Sequence, residues 1–287
     1  MTHTRILLPA SLIAAGFFGS AAANAATVAY WNFDEGTPGA FFSDDPADDL
    51  SGNGYSMSGF DTSFGPAYSA LGDTASGSGL SLDTLTGGRD GYTTDATINA
   101  WEPQQWTIET TVRLDAAGGF LTVIGRDGSS FGGPLSDFYL QKHAGANGGL
   151  GSWRVDFSTL GGQRVTMDSA FSPVAGTYYQ LAVTSDGTTA KFFVNDLGGG
   201  LGYQEASSVL LTGGDAAANA LSSPNGNWTF GRGWYNGGFV DHIDGTIDEV
   251  RFSDTALAPG QFIQVPEPGT TLLGALAGLA IMARRRR

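Results

Sequence analysis

Carboxylates dominate the chemistry that this sequence can offer. Its 287 residues hold 28 Asp and Glu against 14 Lys and Arg and three His, and no Cys. Six acids crowd residues 34–53, namely Asp34, Glu35, Asp44, Asp45, Asp48 and Asp49. Asp248 lies in the alternating run Thr246–Phe252 and has the parity of Val250 and Phe252, opposite to Ile247, Glu249 and Arg251. A carboxylate on the apolar face of a strand needs a partner: a cation such as calcium, an arginine, or backbone amides. His143 and His242 are far apart in the chain, so neither a zinc cluster nor a Ser-His-Asp triad is supported. The second chemical feature is aromatic. Trp234-Tyr235 lies in the glycine-rich stretch Gly231–Gly238 with Arg232 and Asn236 beside it. An aromatic face with adjacent polar groups can stack on a sugar ring, while the bland alternative is packing beneath a loop.

Strands must position these groups, because nothing between Ala26 and Gln264 sustains a helical period. Short alternating runs recur between Gly, Asp and Asn turns, the pattern of a sandwich or barrel. Thr107–Arg113 alternates Ile108, Thr110 and Val112 with Thr107, Glu109 and Thr111. Tyr178–Thr184 and Ala190–Val194 flank Ser185-Asp186-Gly187, which predicts a hairpin with Tyr179, Leu181 and Val183 on one face. Further strands are expected at Val28–Phe33, Gly119–Gly125, Asp137–Gln141, Trp153–Phe157, Arg164–Met167 and Asn227–Gly231. Asp34–Asn53 and Gly198–Asn225 read as long loops. No internal repeat suggests a propeller or solenoid, and one domain is the expected count.

The two ends belong to trafficking. Arg5, the apolar stretch Ile6–Gly19 and Ala23-Asn24-Ala25 follow the order of a signal peptide, so residues 1–25 are expected to be removed by signal peptidase between Ala25 and Ala26. At the C-terminus Val265, Pro266, Glu267 and Pro268 precede the uncharged apolar run Thr270–Ala283 and Arg284–Arg287. That run is short for a transmembrane helix, which needs about 20 residues, and the terminal arginines orient it with the domain outside. These ends carry five of the 14 basic residues and one of the 28 acidic ones, leaving nine against 27, a formal charge of −18 on the domain. Such a field disfavours nucleic acid and anionic lipid and favours divalent cations. With no disulfide, an exported domain must rely on core burial or a bound metal.

Residues 26–264 resemble laminin-G-like, concanavalin A-type jelly-roll domains. The resemblance rests on Ala29-Tyr30-Trp31-Asn32-Phe33-Asp34-Glu35-Gly36, Asp49–Gly54, Trp106–Glu109, Thr177–Gly187 and Gly245–Phe252, in the family's order. Tyr178-Tyr179 stands where Trp-His is commoner. The resemblance implies an all-β jelly-roll sandwich whose first and last strands are neighbours, and a structural calcium held by Asp34, Asp49, Asn53 and Asp248. Hydrolases of this sandwich often carry Glu-x-Asp-x-x-Glu on one strand, and neither Asp248-Glu249 nor Glu109 reproduces it. Residues 265–287 resemble a PEP-CTERM sorting tail. That implies exosortase processing in a Gram-negative, matrix-producing bacterium, with transient inner-membrane anchoring before release to the cell surface or medium. The expected function is a non-catalytic carbohydrate- or matrix-binding module, with Trp234, Tyr235, Arg232 and Asn236 as ligand contacts. The alternatives are a structural or adhesive biofilm protein that binds another protein, and a glycan-active hydrolase.

Overall fold

The computed structural model describes residues 26–264 apart from 43, 60–65, 85–89, 147–148, 150 and 171. In chain order its strands are β1 (Thr27–Trp31), β2 (Met57–Gly59), β3 (Ala67–Tyr68), β4 (Leu82–Asp83), β5 (Gly91–Thr93), β6 (Trp106–Leu114), β7 (Leu121–Arg126), β8 (Phe138–His143) and β9 (Ser152–Ser158). They continue as β10 (Arg164–Asp168), β11 (Tyr178–Ser185), β12 (Thr189–Asp196), β13 (Gln204–Leu210), β14 (Trp228–Phe230), β15 (Gly233–Tyr235), β16 (Gly238–Val240) and β17 (Gly245–Ser253). A single turn of helix, α1 (Ala96–Asn99), is capped by Asp95, whose carboxylate accepts from the Thr97 amide at 2.7 Å.

Two large antiparallel sheets face each other. The first has the order β13-β12-β11-β6-β17-β4-β3, with β1 also paired to β17; the second has the order β10-β9-β8-β7-β14-β5-β2. The expected neighbourhood of first and last strands is therefore present. Alternation explains the filling. Ile108, Val112, Leu181, Val183, Phe192 and Val194 of the first sheet are fully or almost fully buried, as are Phe138, Leu140, Trp153, Val155 and Phe157 of the second. Rings from opposite sheets meet at Trp31–Phe230 (5.4 Å), Trp106–Phe157 (5.3 Å), Trp153–Tyr179 (5.5 Å) and Trp228–Phe252 (4.8 Å). Such edge-on and tilted pairs add to simple area burial. Trp101, half-buried, stacks on Phe252.

The expected β11–β12 hairpin forms, its register running from Tyr179↔Asp196 to Ser185↔Ala190, with Gly187 at φ +82° in the turn. Two expectations need correction. The stretch Gly198–Asn225 is not all loop, because Gln204–Leu210 pairs with β12 as the exposed edge strand β13. Its polar residues hide it, since an edge strand has little apolar surface to bury. The parity read for β17 also fails at one point. Its register against β6 shifts between Ile247 and Glu249, so Asp248 is the extra residue of a bulge. Ile247 thereby joins Val250 and Phe252 in the core, and Asp248 does not share their face.

The end of the domain is clipped to the outer side of the first sheet. Leu257 and Phe262 pack with Ala182, Phe193 and Tyr203. The buried Glu109 accepts from the Ile263 amide at 2.8 Å and pairs with Arg251. Gln180 and Tyr203 both donate to the Ile263 carbonyl, at 3.1 and 3.0 Å. These bonds fix the last described residues, through Ile263, to the first sheet.

Candidate functional site

The outer side of the second sheet carries an uncommon load of large polar groups. Inward Phe138 and Leu140 on β8 alternate with outward Tyr139, Gln141 and His143. Strand β9 adds Arg154 and Asp156 between Trp153, Val155 and Phe157, and β10 adds Arg164. Phe120, Leu135, Tyr235, Val240 and Asp241 rise around them, enclosing an open basin of about 430 Å³. This volume suits one or a few sugar rings, by the usual range of small-ligand sites.

The wall carrying Tyr235 is built by the hairpin β15–β16. Its approach to the sheet depends on Gly233, where a Cβ would stand 2.8 Å from Thr122 Oγ1 and 3.1 Å from the Tyr139 ring. Tyr139 donates its hydroxyl proton to the Trp234 carbonyl and accepts from the Ser136 amide at 3.0 Å. The Asn236 amide donates to the Pro134 carbonyl at 2.7 Å. Arg232 anchors the hairpin from below: its guanidinium lies 3.7 Å from the Phe239 ring centroid and bonds Asp90 at 2.6 Å and Asp127 at 2.6 and 3.0 Å.

In the floor, Asp156 accepts from Thr166 Oγ1 at 2.5 Å and from Gln141 Nε2 at 3.4 Å. Arg154 is paired with Asp168. Arg164 donates through Nη1 to the Ser136 carbonyl at 2.5 Å and to Ser158 Oγ at 3.2 Å. Gln141 Oε1 and Arg164 Nε and Nη2 are buried without a hydrogen-bond partner among the described residues. Burial, then the Arg154 charge, lowers the His143 pKa, so its imidazole is neutral at pH 7. His143 Nδ1 accepts from the Gly145 amide at 3.1 Å, which leaves Nε2 as the donor. Burial raises the Asp241 carboxyl.

The expected ligand contacts separate on inspection. Tyr235 is half exposed and lines the basin; Trp234 is half-buried beside it, and the exposed Asn236 turns the hairpin at φ +49°. Arg232 is only 1% exposed and belongs to the buried ion network, so it presents no surface to a ligand. Gln141, Arg154, Asp156 and Arg164 were not among the expected contacts. The available signal was the run of bulky polar side chains at alternate positions of three successive strands.

The expected calcium ligands are also dispersed. Asp49 is spent on the amides of Tyr30 (2.9 Å), Ser51 (2.9 Å) and Tyr55 (3.1 Å) and on the Ser51 hydroxyl (2.7 Å). Asn53 donates to the Val28 carbonyl at 3.0 Å. Asp34 accepts from the Leu80 amide at 2.9 Å, and Asp248 from the Ala75 amide at 2.9 Å. Among the described residues no three His, Asp or Glu side chains converge to hold a metal. Asp34 and Asp248 remain near enough to repel one another electrostatically. The four residues therefore do not fit a common calcium cage. Asp49 instead organises the loop through the backbone-amide alternative.

Comparison with known proteins identifies the architecture. Residues 86–261 match the model of the Laminin_G_3 family, described as the concanavalin A-like lectin/glucanases superfamily. The chain belongs to this family. Residues 264–287 match the PEP-CTERM protein-sorting motif, which marks the chain for exosortase-dependent sorting to the cell envelope or surface. No curated protein matches the chain in sequence. Among solved structures, it is similar to domain 4 of AbnA, a GH43 extracellular arabinanase from Geobacillus stearothermophilus, in complex with arabinotriose. That likeness has 18% identity and a TM-score of 0.54, covering 83% of this chain and 96% of the other. It is also similar to the binding domain of botulinum neurotoxin serotype D, at 8% identity and TM-score 0.52, covering 82% of this chain and 49% of that one. At such identities the likeness concerns the jelly-roll fold alone. Ala25 and the sorting residues Val265, Pro266, Glu267 and Pro268 lie outside the described residues, as does the expected transmembrane segment. Among the described residues no helix is long and apolar enough to cross a membrane.

Proposed function

We propose that this concanavalin A-like domain is a non-catalytic carbohydrate-binding module, exported and displayed at the cell surface by exosortase sorting. One observation carries the reading: a basin on the second sheet with an aromatic wall at Tyr235 and Phe120 above a floor of hydrogen-bonding groups. Sugar rings present apolar faces and polar edges, and this arrangement meets both. A saccharide-bound relative in fold, the arabinanase domain, is compatible with it. Cleavage before Ala26 is part of the proposal. The Ala26 nitrogen donates to Asp254 Oδ1 at 3.0 Å, and cleavage would make that nitrogen an ammonium beside the carboxylate.

The glycan-hydrolase alternative draws on Asp156 and Asp241, two carboxyls in one basin, of which Asp241 is shifted toward its protonated form. Binding is favoured because Asp156 is already engaged by Thr166 and Gln141 within its own sheet. Titration calorimetry of the full chain against an oligosaccharide panel is expected to show saturable binding with no release of reducing ends. Tyr235→Ala should weaken that binding about tenfold or more, as loss of a central aromatic contact does, while the melting temperature scarcely moves. Release of reducing ends that Asp241→Asn abolishes would replace the binding reading with the hydrolase. Unchanged affinity in Tyr235→Ala would remove the basin from the account.

A further inference from the structure

Arg164 is an unusual residue to find at the base of a sugar-sized basin. One edge of its guanidinium is used: Nη1 donates to the Ser136 carbonyl and Ser158 Oγ. The other edge, Nε with Nη2, is buried and has no hydrogen-bond partner among the described residues. Arg113, Arg154, Arg232 and Arg251 each pair with at least one carboxylate. Arg126, like Arg164, lacks a carboxylate partner and has an unpartnered Nε, but both its Nη atoms are bonded, to the carbonyls of Trp101, Ser222 and Asn99 and to Ser223 Oγ. Burial is the main influence on the Arg164 guanidinium and pushes its pKa down, with Asp156, Tyr139 and Asp137 acting weakly the other way. Neither of these carboxylates is hydrogen-bonded to it, and a buried cation without a directly bonded counter-charge is costly, more so than a surface one.

We propose that the basin takes a sugar residue bearing a carboxylate, a uronic-acid-type unit of an acidic polysaccharide, received by the Nε–Nη2 edge of Arg164. Two parallel N–H donors spaced on one guanidinium edge match the two oxygens of a carboxylate, the bidentate pairing for which arginine is suited. A neutral hydroxyl satisfies only one of them. The orphan Gln141 Oε1, on a side chain 5% exposed, offers an acceptor for a ring hydroxyl. His143 Nε2 adds a neutral donor on the same strand. The basin's own acids are not bonded to that edge. Asp156 spends its oxygens on Thr166 and Gln141, and Asp241 is shifted toward neutrality by burial. The guanidinium also lies over the Tyr139 ring, 5.7 Å from its centroid. The idea rests on the basin being the saccharide site.

The test varies the ligand before the protein. Trisaccharides of glucuronate, galacturonate and mannuronate are titrated into the full chain, each beside its carboxyl-reduced twin. At least one acid should bind, with its neutral twin weaker by about tenfold to a hundredfold, the range for a hydrogen-bonded charge pair. Its affinity should fall as salt rises. Arg164→Lys keeps a cation and a donor for the Ser136 carbonyl but loses the fork. It should erase the preference for acid over twin while a thermal melt reports an intact fold. Equal binding of acids and twins overturns the carboxylate inference and leaves the saccharide site standing. An acid preference that survives Arg164→Lys overturns the assigned receptor. Binding of neither set, together with silence across the wider panel, removes the saccharide reading itself.

Discussion

Arg232→Ala should cost the fold about 3–5 kcal/mol, the range for breaking a buried ion pair from one side. Arg232 and Asp90 are each 1% exposed, and Asp127 adds a bidentate partner at 18%. Burial already raises the Asp90 carboxyl to about 6 despite the arginine. Removing the guanidinium leaves Asp90 with no compensating charge, since His242 is 3.9 Å away and itself held neutral by burial. Phe239 also loses the cation beneath its ring, and with it the hairpin that carries Tyr235 loses its footing. Urea denaturation of the native and variant chains reads the effect directly. For a domain of this size the drop corresponds to roughly 6–20 °C in melting temperature. A loss below about 1 kcal/mol would place Arg232 outside the buried network and return it to the candidate ligand contacts.

The second large effect concerns Asp248, whose carboxyl is raised to about 7 from 3.8. Burial is the main cause; the Ala75 amide opposes it, and the Glu249, Asp34 and Asp73 charges add to it. Glu249 is raised to about 6, again chiefly by burial. The sign follows from proton counting. Between pH 4 and 7 the folded state holds protons that the unfolded chain has released, so stability falls as pH rises through that window. Asp248 alone accounts for a loss on the order of 4 kcal/mol by pH 8. Asp248→Asn keeps an acceptor for the Ala75 amide and removes the charge. It should match the native chain near pH 4 and exceed it in stability by a few kcal/mol at pH 8. The melts are run in chelator and again in millimolar calcium. A native profile flat in chelator contradicts the burial account. A slope that calcium removes from the native chain, but not from a variant lacking Asp34, would restore a metal role for this pair.

Asp248 also shows where reading the sequence stops. Alternation alone located Ile108 and Val112 on β6 and the inward face Tyr179, Leu181 and Val183 of β11, because those side chains are sorted by burial every second residue. One bulge reverses that inference for Ile247 and Asp248 while Val250 and Phe252 keep theirs. No residue type in Ile247-Asp248-Glu249 announces the shift, which is imposed by β6 and by the loop that covers Asp248. Arg232 was misread for a related reason. Its letters sit in a glycine-rich loop, yet Asp90 and Asp127 come from distant segments and draw it inside. Tyr235 was legible as an aromatic with freedom to stack. Gln141, Arg154 and Arg164 were not, since each alone resembles an ordinary outward residue, and only the adjacency of β8, β9 and β10 joins them.

The central claim is that a saccharide sits in the basin of the second sheet and leaves it unchanged. A crystal structure of the protein soaked with the tightest-binding oligosaccharide of the panel tests this most directly. Intact sugar should lie against Tyr235, with its polar edge on Gln141 and Arg164. Sugar bound elsewhere on the sandwich, or found cleaved in the basin, would contradict the account.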